Sequence, residues 1–273
     1  MMRRARLAGS WYPADEDRLL ELTGSGRGSG DLVAGVLPHA GLMFSARLTR
    51  LFFDSLDVSV ERLLIVSPSH YYALGEDMVV TSSFTSAQTP LGEVAVRPMH
   101  IASAIVDDSV IAKEHGLEVF LPFVKARGGL EVSFLVLGRA SSYDSLLAFE
   151  DVLCDQLDGR TALVASSDFT HYGARFGYQP YGHRGALEEV RKHDLSLAVQ
   201  LARGEVDSVF PHHEETTVCG IVGAMATALI AKERGLEGRI LGSDDSASIL
   251  GEGDEDFVSY VAIGWGGSIG HFI

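Results

Sequence analysis

The sequence predicts an α/β fold, with a central, mostly parallel sheet covered by helices on both faces, in a single domain spanning residues 1–273. Two observations predict it. Short apolar runs that read as buried strands alternate with longer segments of helical periodicity, the pattern of strand–helix–strand units in a parallel sheet. No stretch has the composition of an interdomain linker, and there are neither repeats nor low-complexity segments.

Taken in order, "DLVAGVLPH" (31–39) reads as a buried strand and "SARLTRLFFDSL" (45–56) as an amphipathic helix. "RLLIVSPSH" (62–70) is a second buried strand ending in turn residues. "MVVTSSF" (78–84) and "GEVAVRP" (92–98) flank a loop with Pro90 and Gly92 and suggest an antiparallel excursion. "EHGLEVFLPFVKARGG" (114–129) is a helix closed by Gly128, "EVSFLVLG" (131–138) a strand, "SLLAFEDVLCDQLDG" (145–159) a helix and "TALVASSDF" (161–169) a strand. A long helix around "RGALEEVRKHDLSLAVQLARG" (184–204) follows, then a helix after Cys219 ending near Gly235, and the strands "GRILGSDDSA" (238–247) and "FVSYVAIGW" (257–265). "GSGRGSGD" (24–31) reads as a flexible surface loop, and "MMRRAR" (1–6) as a short solvated tail.

Composition narrows the function. A hydrophobic content of 46% with 22% charged residues suits a soluble globular protein able to bury a core. The formal net charge of −15 argues against nucleic-acid binding, which needs concentrated Lys and Arg. The N-terminal stretch has no apolar core of a secretion signal, and the longest apolar run, Gly220–Ala231, is well short of the roughly 20 residues that span a bilayer. The expectation is a cytoplasmic protein without a membrane anchor, in which Cys154 and Cys219 stay reduced.

Chemistry-bearing residues gather after the apolar strands. "VLPHAG" places His39, "IVSPSH" places His70, and "ASSDFTHYG" places Asp168 and His171, each a few residues past a strand. If those strands are parallel, the residues share the rim where α/β sheets collect their sites. Each histidine alone is more often a hydrogen-bonded loop residue than a ligand; three on one rim shift the balance toward a metal or catalytic site. Cys219 precedes Gly220 at the start of an apolar helix. It reads either as a small core residue or as a thiolate favoured by the helix N-terminus. A thiolate with two imidazoles suits iron, copper or zinc. Cys154, mid-helix among apolar residues, reads as core. In "KEHGLEVFLPF", Glu114 and Glu118 are four apart with His115 between, so one helix face carries both carboxylates and aims His115 or Glu118 toward the site from behind the ligands. His100, His183, His193, His212, His213 and His271 lack such context and read mostly as surface residues, with His212 and His213 as candidate wall residues.

Together, "AGSWYP" (8–13), "PHAG" (38–41), "PSH" (68–70), "EHGLEVFLPF" (114–123), "SSDFTHYG" (166–173) and "TVCG" (217–220) resemble the Memo family, also called AmmeMemoRadiSam system protein B, in the family's order and over nearly the whole chain. The resemblance implies a three-layer sandwich with a central mixed, mostly parallel sheet, related to the class III extradiol dioxygenases, which use non-haem Fe(II). It implies a metal held by His39, His70 and Cys219, with Asp168 and His171 lining the same pocket and His171 as acid/base. The system name suggests radical-SAM and AMMECR-type partners, and the family's human relative is described as a phosphotyrosine-peptide adaptor. Three departures stand out. Phe44 lacks the hydroxyl a tyrosine would offer, Tyr71 stands where some relatives carry a second histidine, and a thiolate replaces the dioxygenases' carboxylate.

The function expected is a metal-dependent redox protein or enzyme, dioxygenase-like, acting on an unknown small molecule or O₂. Fe(II) is the first expectation for the metal, with copper and zinc as alternatives. Two other readings are open: an adaptor whose pocket takes a phosphopeptide or other anionic ligand, and a zinc hydrolase assisted by Glu118 or His171.

Overall fold

Strands that are apolar at every position need cover on both faces, and the chain supplies it. The computed structural model describes residues 1–26, 28–182, 184–251, 253 and 255–267. The strands among them are β1 (Met2–Arg3), β2 (Leu32–Leu37), β3 (Arg62–Pro68), β4 (Val79–Thr81), β5 (Ser86–Thr89), β6 (Gly92–Ala95), β7 (Ile105–Val106), β8 (Glu131–Leu137), β9 (Thr161–Ser166), β10 (His171–Tyr172), β11 (Glu237–Asp245) and β12 (Phe257–Gly266). The main sheet runs β10-β12-β2-β9-β3-β8-β4-β7, with β11 also paired to β12.

Period-two alternation divides each central strand between two cores. Leu63 and Ile65 of β3 join one buried cluster, Leu64 and Val66 the other, and Val132 and Phe134 of β8 oppose Leu135 and Leu137 in the same way. The first cluster is closed by helices Leu42–Asp54 and Leu121–Arg127, the second by helices Tyr143–Cys154, Ala186–Ala202 and Ile221–Glu233. Helices thus cover both faces of a mixed sheet.

Three expectations are corrected. The sheet is mixed, as expected, but not mostly parallel: β2-β9-β3-β8 and the edge pair β4-β7 are parallel, while β12 is antiparallel to β2, β10 and β11, and β4 to β8. Helical crossovers lead from β2 to β3 and from β8 to β9, whereas the connection from β11 to β12, which carries the helix Ser246–Leu250, turns the chain back. The excursion is also rearranged: β4 stays in the main sheet, while β6 pairs with β5 across the Pro90 turn in a separate three-stranded sheet with β1. That sheet takes in Met2–Arg3, so the N-terminus is structured rather than a solvated tail. In the glycine-rich stretch 24–31, Arg27 lies outside the described residues, while Gly28 is buried and Gly30 bridges to Asp57. Both cysteines are free, and among the described residues no helix is long and apolar enough to cross a membrane.

One helix contact gives stability a pH dependence. Glu150, 5% exposed, leaves Oε1 without a hydrogen-bond partner. Burial, then the nearby Glu233 and Asp151 carboxylates, push its carboxyl up to about 7. A carboxyl raised on folding holds extra proton between its unfolded and folded values, so stability falls as pH rises from the ordinary carboxylate range through about 7. Glu150→Gln is therefore expected to raise the melting temperature at pH 8 by about 2–4 °C, the effect of about 1 kcal/mol in a chain of this size, and to change it little at pH 4.5. Equal shifts at both pH values in thermal melts would count against this origin.

Candidate metal centre

β2, β9 and β3 run parallel, so the chain leaves them at one rim of the sheet. Each exit carries part of a cluster. His39 follows β2 and is 1% exposed. Its N–H, and that of Ala40, donate to Asp168 Oδ1 at 2.8 and 3.2 Å, so the carboxylate just past β9 fixes the turn just past β2. Ser166, the last residue of β9, lies 2.7 Å from His39 Nδ1, which leaves Nε2 facing outward.

His70 follows β3. Its Nδ1 lies 2.6 Å from Glu114 Oε1 and its N–H donates to Oε2 at 2.9 Å, so Nδ1 carries the proton and Nε2 is the free donor atom. Burial alone would raise the Glu114 carboxyl, but its hydrogen bond and attraction to His70 outweigh that and lower it. Glu114 sits in an extended break between the helices Asp108–Lys113 and His115–Glu118, where it caps the second by accepting from Gly116 N–H. That break is why Glu114 and Glu118 do not share one helix face, as their spacing suggested.

The same break turns His115 into the cluster. His39, His70 and His115 offer nitrogen atoms within 4.8 Å of one another and together can hold a metal ion. The His70 and His115 rings are 4.1 Å apart, and each is within 4.9 Å of the His39 ring. His115 Nδ1 is engaged by Tyr71 OH at 3.1 Å. Burial first, then the neighbouring imidazoles, lowers His39 well below the ordinary histidine range and His115 to about 4. Both are therefore neutral near pH 7, the ligating form. The donor set fits a transition ion: three imidazoles, each with its other nitrogen tied to a hydroxyl or carboxylate.

Cys219 meets the cluster from the side, with Sγ 3.2 Å from His39 Nε2 and 3.6 Å from the Asp168 carbonyl oxygen. The helix dipole does not make it a thiolate. The helix starts at Ile221, Gly220 N–H donates to Ser167 Oγ, and burial, with the Asp168 carboxylate, pushes the Cys219 thiol upward. Only a bound cation would reverse that. The cysteine also lines a second cleft, of about 430 Å³, whose wall includes His213.

The larger cleft, about 810 Å³, has His39, His70 and His115 among its lining, with Asp168, His171, Trp11, Phe44 and Tyr260. His171 Nδ1 lies between two carbonyl oxygens, Phe169 at 3.1 Å and Thr217 at 3.0 Å, both acceptors, so Nδ1 is protonated and Nε2 is the free base. Thr217 Oγ1 further accepts from His171 N–H and donates to its carbonyl. Trp11 leans on His115 with ring centroids 4.6 Å apart. Phe44 stands 6.2 Å from Tyr260, and Tyr71 is half exposed.

Glu118 does not reach this cleft. It is 1% exposed and faces the N-terminal segment, accepting from Arg3, from Arg6 and Leu7 N–H, and from Tyr12 OH. His100, His193 and His212 are exposed, and His183 and His271 lie outside the described residues. Glu114, Ser166 and Thr217 are the residues that sequence reasoning left without roles: their task is to orient other side chains, and only the fold brings them into contact.

Three converging imidazoles, two just past strand ends and one at a helix break, beneath an aromatic-walled cleft define an α/β protein with a candidate metal centre. The family model described as "Memo-like protein" matches residues 3–263, and the chain belongs to that family. Among its relatives, a MEMO1 family protein of Thermococcus onnurineus is 30% identical over 260 residues, covering 84% of this chain and 87% of the relative. A MEMO1 family protein of Methanopyrus kandleri is 30% identical over 294 residues, covering 96% and 98%. The memo-1 homolog of Caenorhabditis elegans is 28% identical over 246 residues, covering 80% and 68%.

The Glu114–His70 contact has a measurable consequence. Glu114→Gln keeps the shape but replaces an ionised acceptor with a neutral amide. Metal affinity is expected to fall roughly 10–100-fold, the usual effect of removing a carboxylate behind a ligating histidine. Unchanged affinity in a titration with Co(II) or Zn(II) would contradict the role.

Proposed function

We propose that this Memo-family chain is a metal-dependent redox protein or enzyme acting on a small organic molecule or O₂, with the ion held by His39, His70 and His115 and Cys219 as a fourth donor. The observation that carries it is the trio of converging imidazoles, whose nitrogen atoms lie within 4.8 Å of one another. Fe(II) is the proposed ion, with copper next, in keeping with the relation to class III extradiol dioxygenases that the family resemblance implies. When bound, the ion supplies Lewis acidity and electron transfer.

The chain's own residues do the rest. Asp168 holds the His39 turn, and Glu114 holds His70 in the tautomer that leaves Nε2 free. His171, its Nδ1–H tied to two carbonyls, presents Nε2 to accept a proton from a bound ligand. Trp11, Phe44 and Tyr260 give the cleft apolar walls that exclude water and seat an organic body. Two free cysteines fit a reducing compartment such as the cytoplasm, and radical-SAM and AMMECR-type proteins are the proposed partners.

A zinc hydrolase is the second reading, favoured by the three-imidazole donor set itself. Anaerobic loading with Fe(II), Cu(I) or Zn(II), followed by exposure to air, separates the two. Oxygen uptake or redox cycling with iron or copper, lost in His171→Ala without loss of metal, supports the redox reading. Iron- and copper-loaded protein that stays redox-silent, while the zinc form cleaves model esters, would sink it.

A further inference from the structure

The first six residues, basic and short, read as a tail in the sequence, yet Arg3 is 1% exposed. Its guanidinium reaches three points around one dipeptide. Nε donates to the Ile111 carbonyl at 3.1 Å, a second nitrogen donates to the Glu114 carbonyl at 3.1 Å, and the third donates to Glu118 Oε2 at 2.6 Å. Ile111 lies before, and Glu118 after, the break that sends Glu114 to His70 and His115 into the cleft. At such a break the ends of two helices leave carbonyls without intrahelical partners, and here one rigid fork supplies donors for two of them.

Glu118 closes the arrangement from the other side. Its Oε1 accepts from Arg6 N–H, Leu7 N–H and Tyr12 OH at 2.7, 2.7 and 2.8 Å, fixing the segment that carries Trp11 against His115. One buried ion pair therefore ties the N-terminal strand to the orientation of both Glu114 and His115.

We propose that Arg3 is a positioning residue of the metal centre, holding the Glu114–His115 turn so that His70 and His115 present their nitrogens together. The proposal rests on the reading that His39, His70 and His115 hold a metal. Removing one partner alone would strand a buried charge, so the test uses Arg3→Met with Glu118→Gln, which leaves a neutral pair, and Arg3→Lys, which keeps the charge but lacks the fork. Arg62→Met is the control: Arg62 is also buried, and it stands at the opposite end of β3, bonded to Thr161.

Each variant is titrated with Co(II), melted, and examined without metal for the downfield His70 Nδ1–H resonance. In the double variant, Co(II) affinity is expected to drop 10–100-fold, as for the loss of other groups behind metal ligands, with the His70 resonance shifted or lost. Arg3→Lys is expected to weaken binding several-fold, and it decides the matter by itself if the double variant does not fold. Arg62→Met should leave both readouts at wild-type values even where its melting temperature falls as far. A folded Arg3 variant with wild-type Co(II) affinity and an unmoved His70 resonance, or equal weakening in Arg62→Met, overturns the proposal. Failure of the wild type to take up Co(II) would defeat the metal reading instead, and the metal-free His70 resonance would still decide the role of Arg3.

Discussion

His39→Ala and His70→Ala are each expected to lower metal affinity by roughly 10²–10³-fold, the share of one ligand in a site whose total binding free energy is about 10–16 kcal/mol. His115→Ala should do the same, because its nitrogen stands with theirs within 4.8 Å. Cys219→Ala should cost less and leave a three-nitrogen site, since the thiol touches only the His39 member of the trio. Folding should survive in all four, as the fold rests on the two apolar cores around the sheet. Isothermal titration with Zn(II), alongside far-UV circular dichroism, checks the ranking. Full retention of affinity in His115→Ala, with loss in Cys219→Ala, would return the third place to the thiol.

The second large effect concerns stability. Glu118→Ala removes the acceptor of a side chain that is fully buried, and leaves the Arg3 guanidinium without its counter-charge. Breaking such a pair typically costs about 3–5 kcal/mol, a fall of roughly 6–20 °C in melting temperature for a chain of this length. Two backbone N–H groups and the Tyr12 hydroxyl lose their acceptor at the same time. Chemical denaturation is the measurement. A loss under about 1 kcal/mol, the range of exposed ion pairs, would show that the pair is not the anchor described.

The central sheet was legible because buried parallel strands are apolar at nearly every position, and a helix must intervene to bring the next one alongside. The edges were less legible. β6 pairs with β5 across a two-residue turn, and β12 reverses direction after the helix Ser246–Leu250, neither of which composition records. At the site, His39 and His70 could be read because each immediately follows an apolar strand. His115 reads as lying behind them because its segment has the pattern of one continuous helix, and the break that turns it inward depends on Glu114 capping the next turn. Arg3 was hidden more deeply: nothing in "MMRRAR" distinguishes a guanidinium in solvent from one held by a carboxylate more than a hundred residues away.

The most direct test of the central claim is anomalous scattering from crystals of the protein loaded anaerobically with Fe(II) and measured at the iron edge. The prediction is a single strong peak about 2.0–2.2 Å from a nitrogen of each of His39, His70 and His115, the usual span of metal–imidazole bonds, with Cys219 alongside. A peak bound elsewhere, or none at that position at full loading, would contradict it.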